Sequence, residues 1–182
     1  MRDTYLADIV RTFLNYRTLA ERAVAQVRDE DLGVALDSEG NSIAVLMQHL
    51  GGNLHSRFTD FLTSDGEKPH RDRDAEFLAV DGRTLLEARW NVGWDAVLRT
   101  LDALTPADLD RTVYIRGEAF LVPEALSRAV THAAYHVGQI VLLARHFAGP
   151  AWKTLSIPRG RSREFGTGTF KQQFVPPVDG RA

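Results

Sequence analysis

Residues 123–147 read PEALSRAVTHAAYHVGQIVLLARHF, and this stretch decides the architecture. Proline stands where the first turn of a helix tolerates it, and Gly149-Pro150 stops the run after Phe147. Three earlier segments have the same character. Residues 4–28 place Leu6, Ile9, Val10, Phe13, Leu14, Tyr16, Leu19, Ala20, Val24 and Val27 at helical spacing, with no Pro or Gly, before Asp29-Glu30-Asp31 and Gly33 close them. A second helix should start near Ser42, a good N-cap after Gly40-Asn41, and carries Ile43, Val45, Leu46, Leu50, Leu54, Phe58, Phe61 and Leu62. The third spans roughly 83–104, with Leu85, Leu86, Trp90, Trp94, Val97, Leu98, Leu101 and Leu104 on one broad stripe. Gly51-Gly52 inside the second helix costs about 1 kcal/mol per glycine relative to alanine. Such a pair marks either close approach by a neighbouring backbone or a simple kink.

The connections differ from one another. Residues 63–80 are polar and irregular, which suits a long crossover rather than a hairpin turn. Thr105-Pro106-Ala107-Asp108 starts a short helical turn. Residues 111–122 are β-branched and aromatic around Arg116-Gly117-Glu118, which predicts a small β-hairpin or extended loop before the last helix. The expected fold is therefore all-α: a four-helix bundle with one long crossover and an extended C-terminal tail. One domain covers residues 1–182, with its core at about 4–150 and a tail over 151–182 that wraps the bundle.

Composition narrows the function. The chain has 182 residues, 44% hydrophobic and 25% charged, which are globular values. Its 22 basic and 24 acidic side chains leave a net charge of −2 and no electrostatic footprint for nucleic acid or anionic lipid. No apolar run approaches the ~20 residues of a membrane span. Acids at Asp3 and Asp8 stand where a secretory signal needs basic and then apolar residues, so a cytoplasmic protein is expected. Cysteine is absent, which removes disulfides, thiolate ligands and a cysteine nucleophile.

Six histidines remain as the source of chemistry. His132 and His136, four apart on the last helix, project about 40° apart from one face and can share a divalent ion. Two half-buried, hydrogen-bonded imidazoles satisfy the same spacing. His49, flanked by Leu46 and Leu50, should face inward, and neighbouring helices about 8–10 Å apart let it reach the other two. Three neutral imidazoles leave coordination positions open, as catalytic metal sites require. His55 lies about 120° round the helix from His49. His70 falls in the crossover and His146 near a helix C-terminus, so neither joins the set.

Gln48-His49-Leu50-Gly51-Gly52-Asn53, followed by His132-x-x-x-His136-x-Gly138-Gln139-Ile140, resembles the DinB/YfiT-like superfamily of four-helix metalloenzymes over about residues 4–165. Trp152-Lys153-Thr154-Leu155-Ser156-Ile157-Pro158-Arg159-Gly160 looks like the tail of an uncharacterised branch. The resemblance implies Ni or Zn on His49, His132 and His136. It further implies a small-molecule reaction of the kinds known there: thiol S-transfer with mycothiol, bacillithiol or glutathione, maleylpyruvate isomerisation, or hydrolysis. A homodimer is implied by the same analogy.

Around the triad, Asn53 and Gln139 lie at helical spacing to orient imidazoles or substrate, or else to bridge two helices. Tyr135 either reaches the pocket or fills the core. Glu118 and Asp95 are available acids that read as ordinary solvated carboxylates, so no catalytic base is assigned. Arg159, Arg161 and Arg163 either contact an anionic cofactor or form a solvated basic stretch, and Trp90 and Trp94 read as core. Three functions follow: a metal-dependent enzyme, with a low-molecular-weight thiol as co-substrate for S-transfer or with water for hydrolysis; a stress-associated domain in which an ion only ties helices together; and a metal-free dimerisation module.

Overall fold

The computed structural model describes residues 2–78, 82–161 and 163. It is mostly helical: α1 (Arg2–Val24), α2 (Ile43–Phe58), α3 (Arg83–Ala103) and α4 (Val122–Ala148), with an antiparallel hairpin of β1 (Thr112–Ile115) and β2 (Glu118–Leu121) before α4. Ser42 caps α2, its Oγ accepting the Val45 N–H at 3.2 Å.

Two helices end earlier than their apolar periodicity suggests. After Val24 the chain tightens into i→i+3 turns, with the Gln26 and Val27 N–H groups bonding the Ala23 and Val24 carbonyls. Helix α2 stops at Phe58, because Thr59 turns extended and Asp60 adopts a positive φ of 49°. Phe61 therefore reaches the core from a loop and still stacks on Phe58, with ring centroids 5.4 Å apart. The hairpin turn lies at Arg116-Gly117, both with positive φ, the pattern that matches the twist of two-residue hairpins. Asp65 in the crossover accepts both N–H groups of that turn, at 2.8 and 2.7 Å.

Side-chain bonds fix the helix directions. The Tyr5 hydroxyl donates to the Pro123 carbonyl near the start of α1 and α4, and beyond their far ends Gln26 bonds the Lys153 backbone, so these helices run parallel. Helix α3 is antiparallel to α1, since Arg17 meets Asn91 while Arg83 meets Asp29. Arg89 pairs with Gln48, Gly93 with Gly51, and Thr100 with Phe58, so α2 and α3 run in the same direction. Parallel neighbours oblige the chain to travel back along their length, and the 59–82 connection does so.

The helix α2–α3 contact depends on absent side chains. A Cβ on Gly93 would lie 2.3 Å from the Gly51 carbonyl oxygen, and one on Gly51 would lie 2.9 Å from the Arg89 oxygen. The close-approach reading of Gly51 is therefore the correct one. Trp90 and Trp94 are fully buried beside this crossing, packed with Phe13 and Phe58. At the other end of the chain, half-buried Trp152 and Leu155 pack on the core, which supports docking of the first part of the tail. The remainder of the predicted wrapping tail lies outside the described residues.

Two glycines in exposed and buried settings give opposite expectations. Gly93→Ala gains helix propensity but must separate two backbones, so it should cost about 1–3 kcal/mol and lower the melting temperature. Gly138→Ala on α4 meets nothing within 4 Å and should raise stability by about 0.5–1 kcal/mol. Thermal unfolding of both variants by circular dichroism checks the contrast.

Candidate metal centre

Helices α2 and α4 run antiparallel and bring His49 to the face that carries His132 and His136. The Nε2 atom of His132 lies 3.3 Å from His49 Nε2 and 3.1 Å from His136 Nε2. The three ring centroids are 4.6–5.3 Å apart, with near-perpendicular rings. His49 and His136 are buried and His132 is half-buried. Among the described residues these three form a group that could hold a metal ion.

Outer hydrogen bonds decide which nitrogens face inward. Nδ1 of His49 bonds Glu76 Oε2 at 2.9 Å, and Nδ1 of His136 bonds Gln139 Oε1 at 2.9 Å. Both acceptors are oxygens, so each imidazole carries its proton on Nδ1 and turns a bare Nε2 lone pair toward the cluster. Burial and the two neighbouring rings push His132 down to about 4, so it is neutral at pH 7. Burial and His49 lower His136 as well, against the Gln139 hydrogen bond. Converging lone pairs need a proton or a cation between them. Ligand nitrogens about 2.0–2.1 Å from one ion and about 90–110° apart stand about 2.8–3.4 Å from each other, so the observed spacing fits a divalent ion.

Glu76 is the residue that sequence reasoning missed. It lies in the crossover, in a 3-10 turn over Ala75–Phe77, yet it is buried. Arg71 clamps it through Nε to Oε1 at 2.7 Å and Nη2 to Oε2 at 2.8 Å. Burial would raise the Glu76 carboxyl, but hydrogen bonds from His49 and Arg71 and the Arg71 charge outweigh it and hold the carboxyl below its usual range. Gln48 Nε2 contacts the Ala75, Glu76 and Leu78 carbonyls at 2.9–3.2 Å and pins the turn, while Arg89 donates to Gln48 Oε1. A Cβ on Gly52 would stand 2.5 Å from Glu76 Oε1. Gly52 is three residues after His49 on the same face, so it clears the space for the carboxylate. The glycine was the one visible signal; an acid in a polar crossover carries none.

The neighbours sort as follows. Gln139 orients His136, whereas Asn53 bonds no imidazole and faces a cavity of about 720 Å³ that His49 and His132 also line. Neither Asn53 nor Gln139 bridges two helices by hydrogen bonding to the other. Tyr135 does not fill the core: it is 64% exposed, lines the cavity and sets its ring against His136. Phe77 packs on the His49 ring with centroids 4.8 Å apart. Asp95 meets Arg17, and exposed Glu118 sits in the hairpin, so both are surface carboxylates. His55 contacts Thr59, while His70 and His146 are exposed and apart from the cluster. Exposed Arg159, Arg161 and Arg163 do not line the cavity.

Two measurements follow. Glu76→Gln should weaken metal affinity about 10–100-fold in a competition titration against a chromophoric chelator, because His49 loses its anionic acceptor. In chelator-treated protein, His132 binds its proton more weakly folded, at about 4, than unfolded, at 6.5. The unfolded chain therefore holds more protons in that window, and stability is complete above 6.5 and falls as pH drops toward 4. His132→Gln should flatten this slope in melts recorded between pH 7 and 4.

The chain matches the model of a family described as a protein of unknown function (DUF1572) over residues 1–161. No curated protein and no solved structure matches it. A match over that span shows that the chain belongs to the DUF1572 family.

Proposed function

We propose that this protein is a metal-dependent enzyme acting on a small molecule, with His49, His132 and His136 holding Ni or Zn and a low-molecular-weight thiol as co-substrate in an S-transfer reaction. The reading takes residues 1–182 as one four-helix-bundle domain of DinB/YfiT type. One observation carries it. The converging imidazole nitrogens stand at the wall of a cavity of about 720 Å³, the size of a small-molecule site. A purely structural ion that tied α2 to α4 would have no use for such a space.

A divalent ion on three neutral imidazoles keeps its full charge and supplies Lewis acidity, which lowers the pKa of a bound water or thiol. The chain's own residues do the rest. Glu76 holds the proton of His49 on Nδ1, Gln139 does the same for His136, and the bare nitrogens stay aimed at one point. Phe58, Phe61, Val113 and Ile115 give the cavity an apolar wall, and Asn53 offers a neutral polar contact. Among the described residues no carboxylate lines the cavity. A thiol gives up its proton more readily than water does, so a lining without a carboxylate base suits a nucleophile that arrives with its own sulfur better than it suits hydrolysis. That observation ranks S-transfer first.

Protein purified without chelator and reconstituted with Zn or Ni should retain about one ion per chain by elemental analysis. Folded His136→Ala should lose it. A screen of small thiols with electrophiles should show thiol consumption by the loaded protein and none by the variant. Ion content far below one per chain would overturn the metal site. Turnover of esters or amides with no thiol consumption would favour the hydrolase.

A further inference from the structure

We infer that the small molecule bound in this cavity carries an oxyanion, a carboxylate or a phosphate, that docks on the guanidinium groups of Arg57 and Arg128. The inference rests on reading the cavity as a substrate site and adds the chemical class of its occupant. Five arginines line the space, Arg57, Arg71, Arg73, Arg116 and Arg128. The carboxylates behind them are already committed. Glu76 serves Arg71 and His49. Glu67 is shared at longer range by Arg57 at 3.4 Å, Arg71 at 3.3 Å and Arg116 at 3.1 Å. Asp65 accepts the backbone N–H groups of Glu67, Arg116 and Gly117. Positive charge is left in surplus around a partly apolar space.

Arg57 shows the surplus most directly. Its side chain is 11% exposed, and among the described residues its one carboxylate partner is the shared Glu67 and its buried Nη1 has no hydrogen-bond acceptor. A buried guanidinium nitrogen without an acceptor is costly, and a chain that keeps one beside a cavity has a use for it. Space for the group comes from Gly66, where a Cβ would lie 3.2 Å from Arg57 Cδ. Burial pushes Arg57 down to about 10, with Arg71, Arg116 and Arg128 opposing Glu67, so it stays cationic at neutral pH. Arg128 lies over the Phe120 ring at 5.8 Å, and among the described residues it has no carboxylate partner.

Chain direction places both groups on one side of the imidazoles. Arg57 follows His49 by about two turns of α2, and Arg128 precedes His132 by about one turn of α4. Because α2 and α4 are antiparallel, the two displacements point the same way. An occupant would set its reacting end at the imidazoles, its apolar body against Phe58, Phe61 and Val113, and its oxyanion on the arginines.

Phenylacetate, phenylphosphonate and the neutral phenylacetamide test this by isothermal titration calorimetry on the metal-loaded protein and after chelator treatment. Both anions should bind at least about tenfold tighter than the amide, and should still bind after metal removal. Arg128→Ala, an exposed change that spares the core, and Arg57→Lys should each weaken the anions about tenfold or more while leaving metal content unchanged. Tighter binding of phosphonate identifies a phosphate-bearing occupant, and tighter binding of phenylacetate a carboxylate; either order supports the subsite. Equal binding of amide and anions, or anion binding that needs the metal and ignores Arg128→Ala, would overturn it. Should the protein hold no metal yet bind the anions through these arginines, the enzyme reading fails and the oxyanion subsite stands.

Discussion

The hydrogen bond between His49 Nδ1 and Glu76 Oε2 is the interaction on which the rest of the centre depends. It sets the tautomer of one imidazole, and so sends a lone pair rather than a proton toward His132 and His136. A buried carboxylate is costly unless it is paired and fully bonded. Arg71 supplies the charge and two further hydrogen bonds, Gly52 the space, and Gln48 the backbone anchor. Arg71 comes from the same crossover, and Gly52 and Gln48 both come from α2, so one helix and one loop together house the carboxylate.

Helix direction explains how that carboxylate arrives. Because α2 and α3 are parallel, their connection must retrace their length, and it passes His49 on the way. The Gly51–Gly93 contact lets the two helices approach closely, while neighbouring Gly52 opens the opposite requirement, a place for a side chain from the crossover. One glycine pair thus serves helix packing with its first member and the histidine with its second.

The cavity joins two unlike electrostatic surfaces. The imidazoles hold one end, with His132 kept neutral by its burial, and guanidinium groups hold the other. Burial is the main reason Arg57 is pushed toward its neutral form, and the neighbouring arginines add to it against Glu67. That arrangement is stable only because Glu67 and Asp65 stand behind it, and Asp65 also ties the β1–β2 turn to the crossover.

Four helices, an extended or hairpin segment before the last of them, and the shared face of His132 and His136 were legible from periodicity, turn chemistry and four-residue spacing, because those signals are local to each segment. That His49 could join the pair was an expectation from its inward position and from the family resemblance. Asn53 and Tyr135 were placed near the site but not given their orientation, since helical spacing sets a face and not a partner. Glu76, Arg57 and Arg128 were invisible: a carboxylate in a polar loop and an arginine on an amphipathic helix look like any others until the fold removes them from water. What the amino-acid order determined by itself was which stretches coil and which faces are apolar. Only tertiary structure decided which polar groups meet, because burial, partner and charge are properties of positions brought together from distant parts of the chain.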